Sequence, residues 1–245
     1  MCDMLKLPVF IVNMDKCPER LVTTTKNIAM AGFKDIRRFR AVDGAVDQEL
    51  IEGWAAHGNP PFDPARTEFV TYKGEQGCAL SHLNLWKHII NNEIEMSVVF
   101  EDDVYFHKDW STLSSRFWKS TPPPPEWDIL FIGNQMELSA PGDILRVPTY
   151  CTHAYCITLA GARRLYNLYL TYPGGVCAID CVMIETMWRT FQDLTPYAFK
   201  WLVWCGQNYP DPRAIGCDPN WAKRNTGLVF QDPIFGTFVR PRDAI

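Results

Sequence analysis

The stretch Ser97-Val98-Val99-Phe100-Glu101-Asp102-Asp103-Val104 decides the fold and points to the functional site. Its short apolar run is typical of a strand that is buried on both faces of a sheet. In open α/β sheets, ligands bind at the carboxyl ends of the strands, where Glu101, Asp102 and Asp103 fall. Three adjacent carboxylates repel one another unless positive charge lies between them. A divalent cation would supply that charge, and a solvated acidic turn is the alternative.

Strands and helices are predicted to alternate on both sides of this stretch. Pro8 to Val12 is a second apolar run, and Pro18-Glu19 soon after it is typical of a helix start. The first helix is predicted to bury a single face, formed by Leu21, Thr25, Ile28 and Ala29. Further strands are predicted at residues 36–41, 129–132 and 154–157, and further helices at residues 77–91, 160–170 and 180–191. This alternation predicts an α/β protein with a mostly parallel sheet flanked by helices.

The composition fits one globular domain over residues 1–245. Of the 245 residues 47% are hydrophobic, and 24 basic against 28 acidic side chains give a net charge of −4. That balance argues against a nucleic-acid partner, because such proteins carry a basic excess. No apolar run approaches the roughly 20 residues of a transmembrane helix, and the N-terminus has no signal-peptide pattern. We therefore expect a cytoplasmic protein without a transmembrane segment.

The nine cysteines are expected to be reduced thiols. Their odd number and the lack of an export pattern favour free thiols in a reducing compartment. Cys151 with Cys156, and Cys177 with Cys181, suggest zinc binding as an alternative. Those spacings are wider than the usual pairs of structural zinc sites, and no matching histidine pair follows. Buried free cysteine is therefore the favoured interpretation.

Residues 74–82 form a second candidate site. Glycines such as Gly77 let a ligand approach the backbone, and the N-terminus of the helix predicted to follow favours anionic groups. The alternative is a glycine-rich turn, with Ser81 and His82 satisfied inside the first helical turn.

Polar residues after the first strand, and one aspartate near the start of a later helix, are further candidates. Asn13, Asp15 and Arg20 follow the first strand, where Arg20 is either a bidentate phosphate ligand or a surface residue. Asp180 has helix N-capping as its default role. A general base is its alternative role, if a metal site lies nearby.

Taken in order, these segments resemble glycosyltransferase family 25, which includes bacterial lipooligosaccharide glycosyltransferases and the collagen galactosyltransferases. The matching segments are Val9 to Arg20, Phe39 to Gly44, Gly77 to Lys87, Phe100 to Val104 and, more weakly, His153 to Arg163 with Ile179-Asp180. Each motif alone is unspecific, but their order and spacing over residues 7–191 are specific. The sequence departs from the family pattern mainly beyond Phe191.

The resemblance implies a GT-A-type fold with one Rossmann-like sheet. It implies a nucleotide-sugar half over residues 7–120 and an acceptor half over residues 126–245. The implied reaction is the metal-dependent, inverting transfer of a hexose, galactose or glucose, from a UDP-sugar donor to a hydroxyl of a glycan or protein acceptor.

The resemblance also assigns roles to individual residues. Mn2+ or Mg2+ is the implied cofactor, held by Glu101 and Asp103, with Asp103 the direct ligand. Asp180 is the implied catalytic base, and a further metal ligand is its rival role. The residues expected to bind the nucleotide sugar are Val12, Asn13, Arg20, Ala41, Asp43, Gly77, Ser81, His82, Lys87 and Asp102.

Two other classes stay open. A catalytically lapsed module would keep the fold and bind a nucleotide sugar or glycan without turnover. A metal-dependent phosphohydrolase would share the acidic strand end, but two-metal sites recruit histidines or more carboxylates, and the five histidines show no such pattern. Aromatic residues of the later half are predicted either to stack sugar rings or to fill the core: Trp188, Tyr197, Trp201, Trp204, Tyr209 and Trp221.

Overall fold

The computed structural model describes residues 3–56, 72–121, 127–135, 144–145, 150–172, 175–184, 202–205 and 225–232. The strands are β1 (Val9–Asn13), β2 (Ile36–Arg40), β3 (Met96–Glu101), β4 (Val104–Phe106), β5 (Ile129–Phe131), β6 (Gly133–Gln135), β7 (Ile144–Leu145), β8 (Ala154–Thr158), β9 (Leu202–Cys205), β10 (Asn225–Gly227) and β11 (Val229–Gln231). The helices are α1 (Pro18–Met30), α2 (Gln48–Ala56), α3 (Lys73–Asn91), α4 (Trp110–Ser120) and α5 (Leu159–Thr171). A short 3-10 helix spans Met4–Lys6, and residues 179–184 are also helical.

The central sheet has the strand order β2-β1-β3-β8-β5-β9-β7. β1 pairs in parallel with β2 and β3, and β5 pairs in parallel with β9. β8 is antiparallel to β3 and β5, and β7 is antiparallel to β9. Strands β1, β2, β3, β5 and β9 therefore run in one direction, which confirms the predicted mostly parallel sheet between helices. β4 pairs with β11, and β6 pairs with β10, in two small antiparallel sheets.

Strand β1 shows how the sheet separates two apolar cores. Phe10 and Val12 pack into the core that α3 and α5 cover, whereas Val9 and Ile11 pack into the core that α1 and α4 cover. Successive side chains of a strand point to opposite faces, so a strand covered on both sides must be apolar throughout. Because β1 and β3 are parallel, Asn13 and the acidic end of β3 lie at the same edge of the sheet.

The face that helix α1 buries agrees only in part with the predicted one. Its buried residues are Arg20, Thr24 and Ile28, whereas Ala29 is exposed. The predicted face is right at Ile28 and wrong at Ala29, because Arg20 and Thr24 turn inward to donate hydrogen bonds to Asp102. A pattern of apolar residues cannot predict such a polar contact.

Helix α3 begins at Lys73, one turn before the predicted start. The backbone N–H of Tyr72 donates to Oε2 of Glu75 at 2.9 Å, which satisfies a donor at the helix start. Gly77 therefore lies inside the helix, one turn after its start, and not at the N-terminus that the sequence predicts. A Cβ at Gly77 would lie 2.5 Å from the backbone nitrogen of Gly44. Gly77 thus permits the helix to pack closely on the turn after β2.

Some predictions fall beyond the described residues. The helix predicted at residues 180–191 begins at residue 179 and is described as far as residue 184. The side chains of the later aromatic residues lie outside the described part: Trp188, Tyr197, Trp201, Trp204, Tyr209 and Trp221. In the described part, no helix combines the length and the apolar character that crossing a membrane requires. The cytoplasmic location stays a prediction.

Candidate active site

The end of β3 places its three carboxylates in different surroundings. Glu101 is the last residue of the strand, and Asp102 and Asp103 form the turn that leads into β4. Asp102 and Asp103 are buried, and Glu101 is half-buried. The turn lies at the carboxyl edge of the parallel strands, where the sequence predicts the ligand site.

Asp102 is held by donors from α1 and β1. Nη1 of Arg20 donates to its Oδ1 at 2.9 Å, and Nδ2 of Asn13 donates to its Oδ2 at 2.7 Å. Oγ1 of Thr24 donates to its backbone carbonyl at 2.7 Å. Burial raises the pKa of Asp102, and Arg20 and Asn13 oppose that rise. These contacts fix the acidic turn against the first strand and the first helix.

Asp103 is buried, and its two carboxylate oxygens differ in their hydrogen bonds. Its Oδ1 receives no hydrogen bond from any other described residue, while its Oδ2 lies 3.4 Å from Nη2 of Arg20. Its backbone carbonyl accepts the N–H of Asp232 at 2.6 Å. Burial, and next the negative charge of Glu101, raise the pKa of Asp103 well above its ordinary value. A nearby cation would favour the charged carboxylate and offset both effects.

Glu101 faces α3 and the residues just before β8. Oγ1 of Thr152 donates to Oε1 of Glu101 at 2.9 Å, and Nε2 of His82 lies 3.5 Å from the same oxygen. Burial disfavours the charged carboxylate. The effect of burial is outweighed by the nearby imidazoles of His82 and His153 and by the hydroxyl of Thr152. Together these groups lower the pKa of Glu101. Glu101 is therefore the acidic residue of the three whose charged form the surroundings favour.

The hydroxyl of Tyr155 orients the imidazole of His82 from the side of Nδ1. The hydroxyl oxygen of Tyr155 lies 2.8 Å from Nδ1 of His82 and accepts the indole N–H of Trp86 at 3.0 Å. All three side chains are fully buried. The ring is thus fixed with Nε2 directed toward Glu101.

Asp180 reaches this edge of the sheet through the backbone of Cys151. Its Oδ2 accepts the N–H of Cys151 at 3.0 Å, and its Oδ1 accepts the N–H of Cys181 at 2.8 Å. Cys151 has φ = 70°, which is uncommon for a residue other than glycine. The next residue, Thr152, binds Glu101, so residues 151–152 connect the two carboxylates. Asp180 lies within the helical residues 179–184, so its predicted role as the N-cap is wrong.

The profile of glycosyltransferase family 25 (LPS biosynthesis protein) matches residues 6–136, which is more than half of the chain. The chain belongs to glycosyltransferase family 25. This confirms the family that the sequence motifs indicate. The matched segment contains Asn13, Arg20 and the acidic end of β3.

Individual relatives of this family 25 chain are distant. The mouse procollagen galactosyltransferase 2 is 27% identical over 169 residues, which cover 64% of this chain and 27% of the relative. The human inactive glycosyltransferase 25 family member 3 is 27% identical over 170 residues, which cover 64% and 28%. The chain therefore spans just over a quarter of the length of these relatives. Among solved structures, mouse xyloside xylosyltransferase 1 in its apo form is 10% identical with a TM-score of 0.43, over 95% of this chain and 99% of that one.

Four residues expected to bind the nucleotide sugar lie at the acidic edge of the family 25 domain. Asn13 and Arg20 contact Asp102 directly, and His82 lies beside Glu101. These three residues and Asp102 come from β1, α1, α3 and the turn after β3, so the fold brings together side chains that are far apart in the sequence.

Other predicted residues take part in packing. Oγ of Ser81 donates to the carbonyl of Gly77 at 2.6 Å and accepts the N–H of Val42 at 2.8 Å. These bonds join α3 to the chain that follows β2. Val12 and Ala41 are buried in the core beneath α3.

Two predicted residues, Asp43 and Lys87, lie in other surroundings. Oδ2 of Asp43 lies 2.5 Å from Nζ of Lys16, and its Oδ1 accepts the N–H of Ala45 at 3.1 Å. Lys87 is exposed on α3, five residues after His82 and therefore on another face of the helix. None of these contacts is with the acidic turn.

Three further residues surround Glu101 and Asp180 without a predicted role there: Cys78, Cys151 and Thr152. The sequence places Cys151 only in an alternative zinc pair with Cys156, and Cys78 only within the segment 74–82. Cys78 precedes His82 by one helical turn, so its spacing was an available signal. The contact between Thr152 and Glu101 spans 51 positions and has no local signature. The cysteines that the structure describes are free thiols: Cys17, Cys78, Cys151, Cys156, Cys177 and Cys181.

Proposed function

We propose that this chain is a metal-dependent, inverting glycosyltransferase that moves a hexose from a UDP-sugar to a hydroxyl of a glycan or protein acceptor. The observation that carries the proposal is the buried Oδ1 of Asp103, which no other described residue hydrogen-bonds, next to the charge of Glu101. Membership of family 25 supports sugar transfer. The name of the mouse relative makes galactose the first hexose to test.

Glu101 and Asp103 fit a hard divalent cation. Mg2+ and Mn2+ prefer carboxylate oxygens, and a buried carboxylate oxygen without a donor is unfavourable unless a cation offsets its charge. When bound, such a cation would neutralise the negative charge that develops on the departing diphosphate. Arg20 and Asn13 would hold Asp102, and with it the turn, in place for binding.

The chain's own residues would orient the reactants and accept one proton. In the proposed reaction, the acceptor oxygen bonds to the anomeric carbon while the bond from that carbon to the phosphate oxygen breaks. The electron pair of the broken bond leaves with UDP, and a single displacement inverts the carbon. Asp180 would take the hydroxyl proton, because the N–H groups of Cys151 and Cys181 orient its carboxylate. A positioned base of this kind accelerates such steps by roughly a hundred- to ten-thousandfold.

A panel of UDP- and GDP-sugars with Mn2+, scored for nucleotide release, tests this function. We expect release from a UDP-sugar by the wild-type chain and its loss in Asp103→Asn. Asp109→Asn is the matched control, because Asp109 is exposed and lies outside the acidic turn. Phosphate release from simple phosphoesters, or release that needs no metal, would contradict the proposal.

A lapsed nucleotide-sugar or glycan-binding module is the second candidate. The buried guanidinium of Arg20 already lies beside Asp102 and Asp103, so part of the acidic charge is offset within the protein. The human relative is named inactive. This candidate predicts that UDP raises the thermal stability of the chain while no UDP-sugar is turned over with any acceptor.

A further inference from the structure

Helix α3 directs two metal-ligand side chains toward the end of β3. Cys78 and His82 are one helical turn apart and therefore share a face. One ligand atom from each of Cys78, His82 and Glu101 lies within 4.8 Å of the other two. Two ligand atoms on one tetrahedral zinc ion are about 3.5 Å apart, given bonds of about 2.0–2.3 Å. Small side-chain rotations would therefore bring all three donors onto one ion.

We infer that Cys78, His82 and Glu101 form a binding site for a borderline-soft divalent cation of the Zn2+ class, which shares Glu101 with the proposed carboxylate site but does not use Asp103. Thiolate and imidazole ligands select such ions, whereas carboxylate oxygens suit Mg2+ and Mn2+. Binding replaces the thiol proton of Cys78, which leaves to solvent, with the bond to the cation.

The surroundings of His82 support this assignment. Its ring is fully buried, and its Nε2 makes no hydrogen bond within the described part of the chain. Metal-bound histidines donate their other ring N–H to an oxygen, and Nδ1 of His82 lies 2.8 Å from the hydroxyl oxygen of Tyr155. That oxygen has two lone pairs, so it can accept from both Trp86 and His82. This tautomer leaves the Nε2 lone pair for a cation.

The competing arrangement uses the opposite tautomer. Tyr155 then donates to Nδ1, and Nε2–H faces Oε1 of Glu101 at 3.5 Å. His82 would orient Glu101 through hydrogen bonding alone, and no soft cation would bind. The two arrangements differ in one measurable property, a bond between the sulfur of Cys78 and a metal.

Cobalt titration of the metal-stripped, reduced full chain measures that property directly. Co2+ replaces Zn2+ and gives a near-ultraviolet charge-transfer absorption when a thiolate binds it. We expect the wild-type absorption to saturate at one equivalent of Co2+. Cys78→Ser should abolish it, and His82→Gln should weaken the cobalt affinity by about tenfold or more.

Two controls locate the site. Cys181→Ser removes a half-buried thiol outside the cluster and should keep the absorption. Asp103→Asn should also keep it, because Asp103 belongs to the other site. Absence of the absorption in the wild-type chain would overturn the inference, and so would its persistence in Cys78→Ser. The wild-type measurement decides even where a variant fails to fold.

A second consequence rests on the proposed function. Because both sites use Glu101, Zn2+ should inhibit Mn2+-dependent UDP release, and Cys78→Ser should relieve that inhibition. The cobalt measurement does not depend on sugar transfer. A cobalt absorption without UDP release would reject only the proposed function, and UDP release without the absorption would reject only the Cys78 site.

Discussion

Nη1 of Arg20 donates to Oδ1 of Asp102 at 2.9 Å, in a contact that joins the first helix to the turn after β3. Both side chains are buried, with 6% and 7% of their surface exposed. Water therefore screens the attraction between the two charges only weakly. Each charge has lost most of its hydration and depends on the other to offset that loss.

Removal of Arg20 should strongly destabilise the fold. Arg20→Met leaves Asp102 as an uncompensated buried charge, and we expect the free energy of unfolding to fall by about 3–5 kcal/mol. Urea unfolding measures this change. The control is Arg37→Met, which breaks the exposed pair with Asp35 and should cost at most about 1 kcal/mol. Equal losses in the two variants would contradict the buried character of the Arg20–Asp102 pair.

Asp103 should make the stability of the metal-free protein depend on pH. Burial raises its pKa, so the folded protein holds this proton more tightly than the unfolded chain does. The free energy of unfolding should therefore fall as the pH rises from about 3.9, the ordinary value, through the raised pKa. Asp103→Asn should remove this contribution and gain stability relative to wild type toward neutral pH. Urea unfolding with a chelator at several pH values tests this, and parallel curves would refute it.

Asp180→Asn should separate the two roles proposed for Asp180. As a general base, Asp180 should be needed for turnover, and we expect UDP release to fall by roughly a hundred- to ten-thousandfold. Metal-dependent affinity for UDP should stay unchanged, because the amide oxygen can still accept a backbone N–H. Asp109→Asn serves as the exposed control. Loss of metal-dependent UDP affinity would instead identify Asp180 as a metal ligand.

Gly77→Ala should lower stability without touching the acidic turn. Its Cβ would lie 2.5 Å from the backbone nitrogen of Gly44, and we expect a loss of about 1–3 kcal/mol. Gly53→Ala is the matched helical control, because nothing lies within 4 Å of the Cβ that it adds. That change should raise stability by roughly 0.5–1 kcal/mol. Thermal unfolding of both variants tests the comparison, and a neutral Gly77→Ala would contradict the close packing of α3 on Gly44.

The main strands and helices of the central sheet were predictable because they follow from local patterns, whereas the antiparallel pairing of β8 was not. The apolar runs at β1 and β3 were long enough to indicate buried strands, and the acidic residues at the end of β3 followed directly in the sequence. The start of α3 was not predictable, because Gly77 is typical of a helix boundary when it is viewed alone. Inside the helix, Gly77 allows close packing on Gly44, which belongs to a distant part of the chain.

The candidate site was predictable in its residue types and only partly in its contacts. Asn13 and Arg20 follow β1, so their proximity to the acidic turn follows from the parallel pairing of β1 and β3. The face of α1 was only partly predicted: Ile28 enters the apolar core, but Arg20 and Thr24 turn inward to bind Asp102. Cys78 and Thr152 were missed because their significance depends on Glu101, which lies in another element.

The order of residues alone indicated the family, the strand that ends in carboxylates and the mostly parallel sheet, which the family profile and the strand pairing confirm. These properties depend on hydrophobic periodicity and on motifs whose members are close in the chain. Tertiary structure was needed to show that Asp102 is paired, that no other described residue donates a hydrogen bond to Oδ1 of Asp103, and that residues 151–152 connect Glu101 to Asp180. Those contacts depend on distances and burial across the folded sheet, which no local pattern of residues specifies.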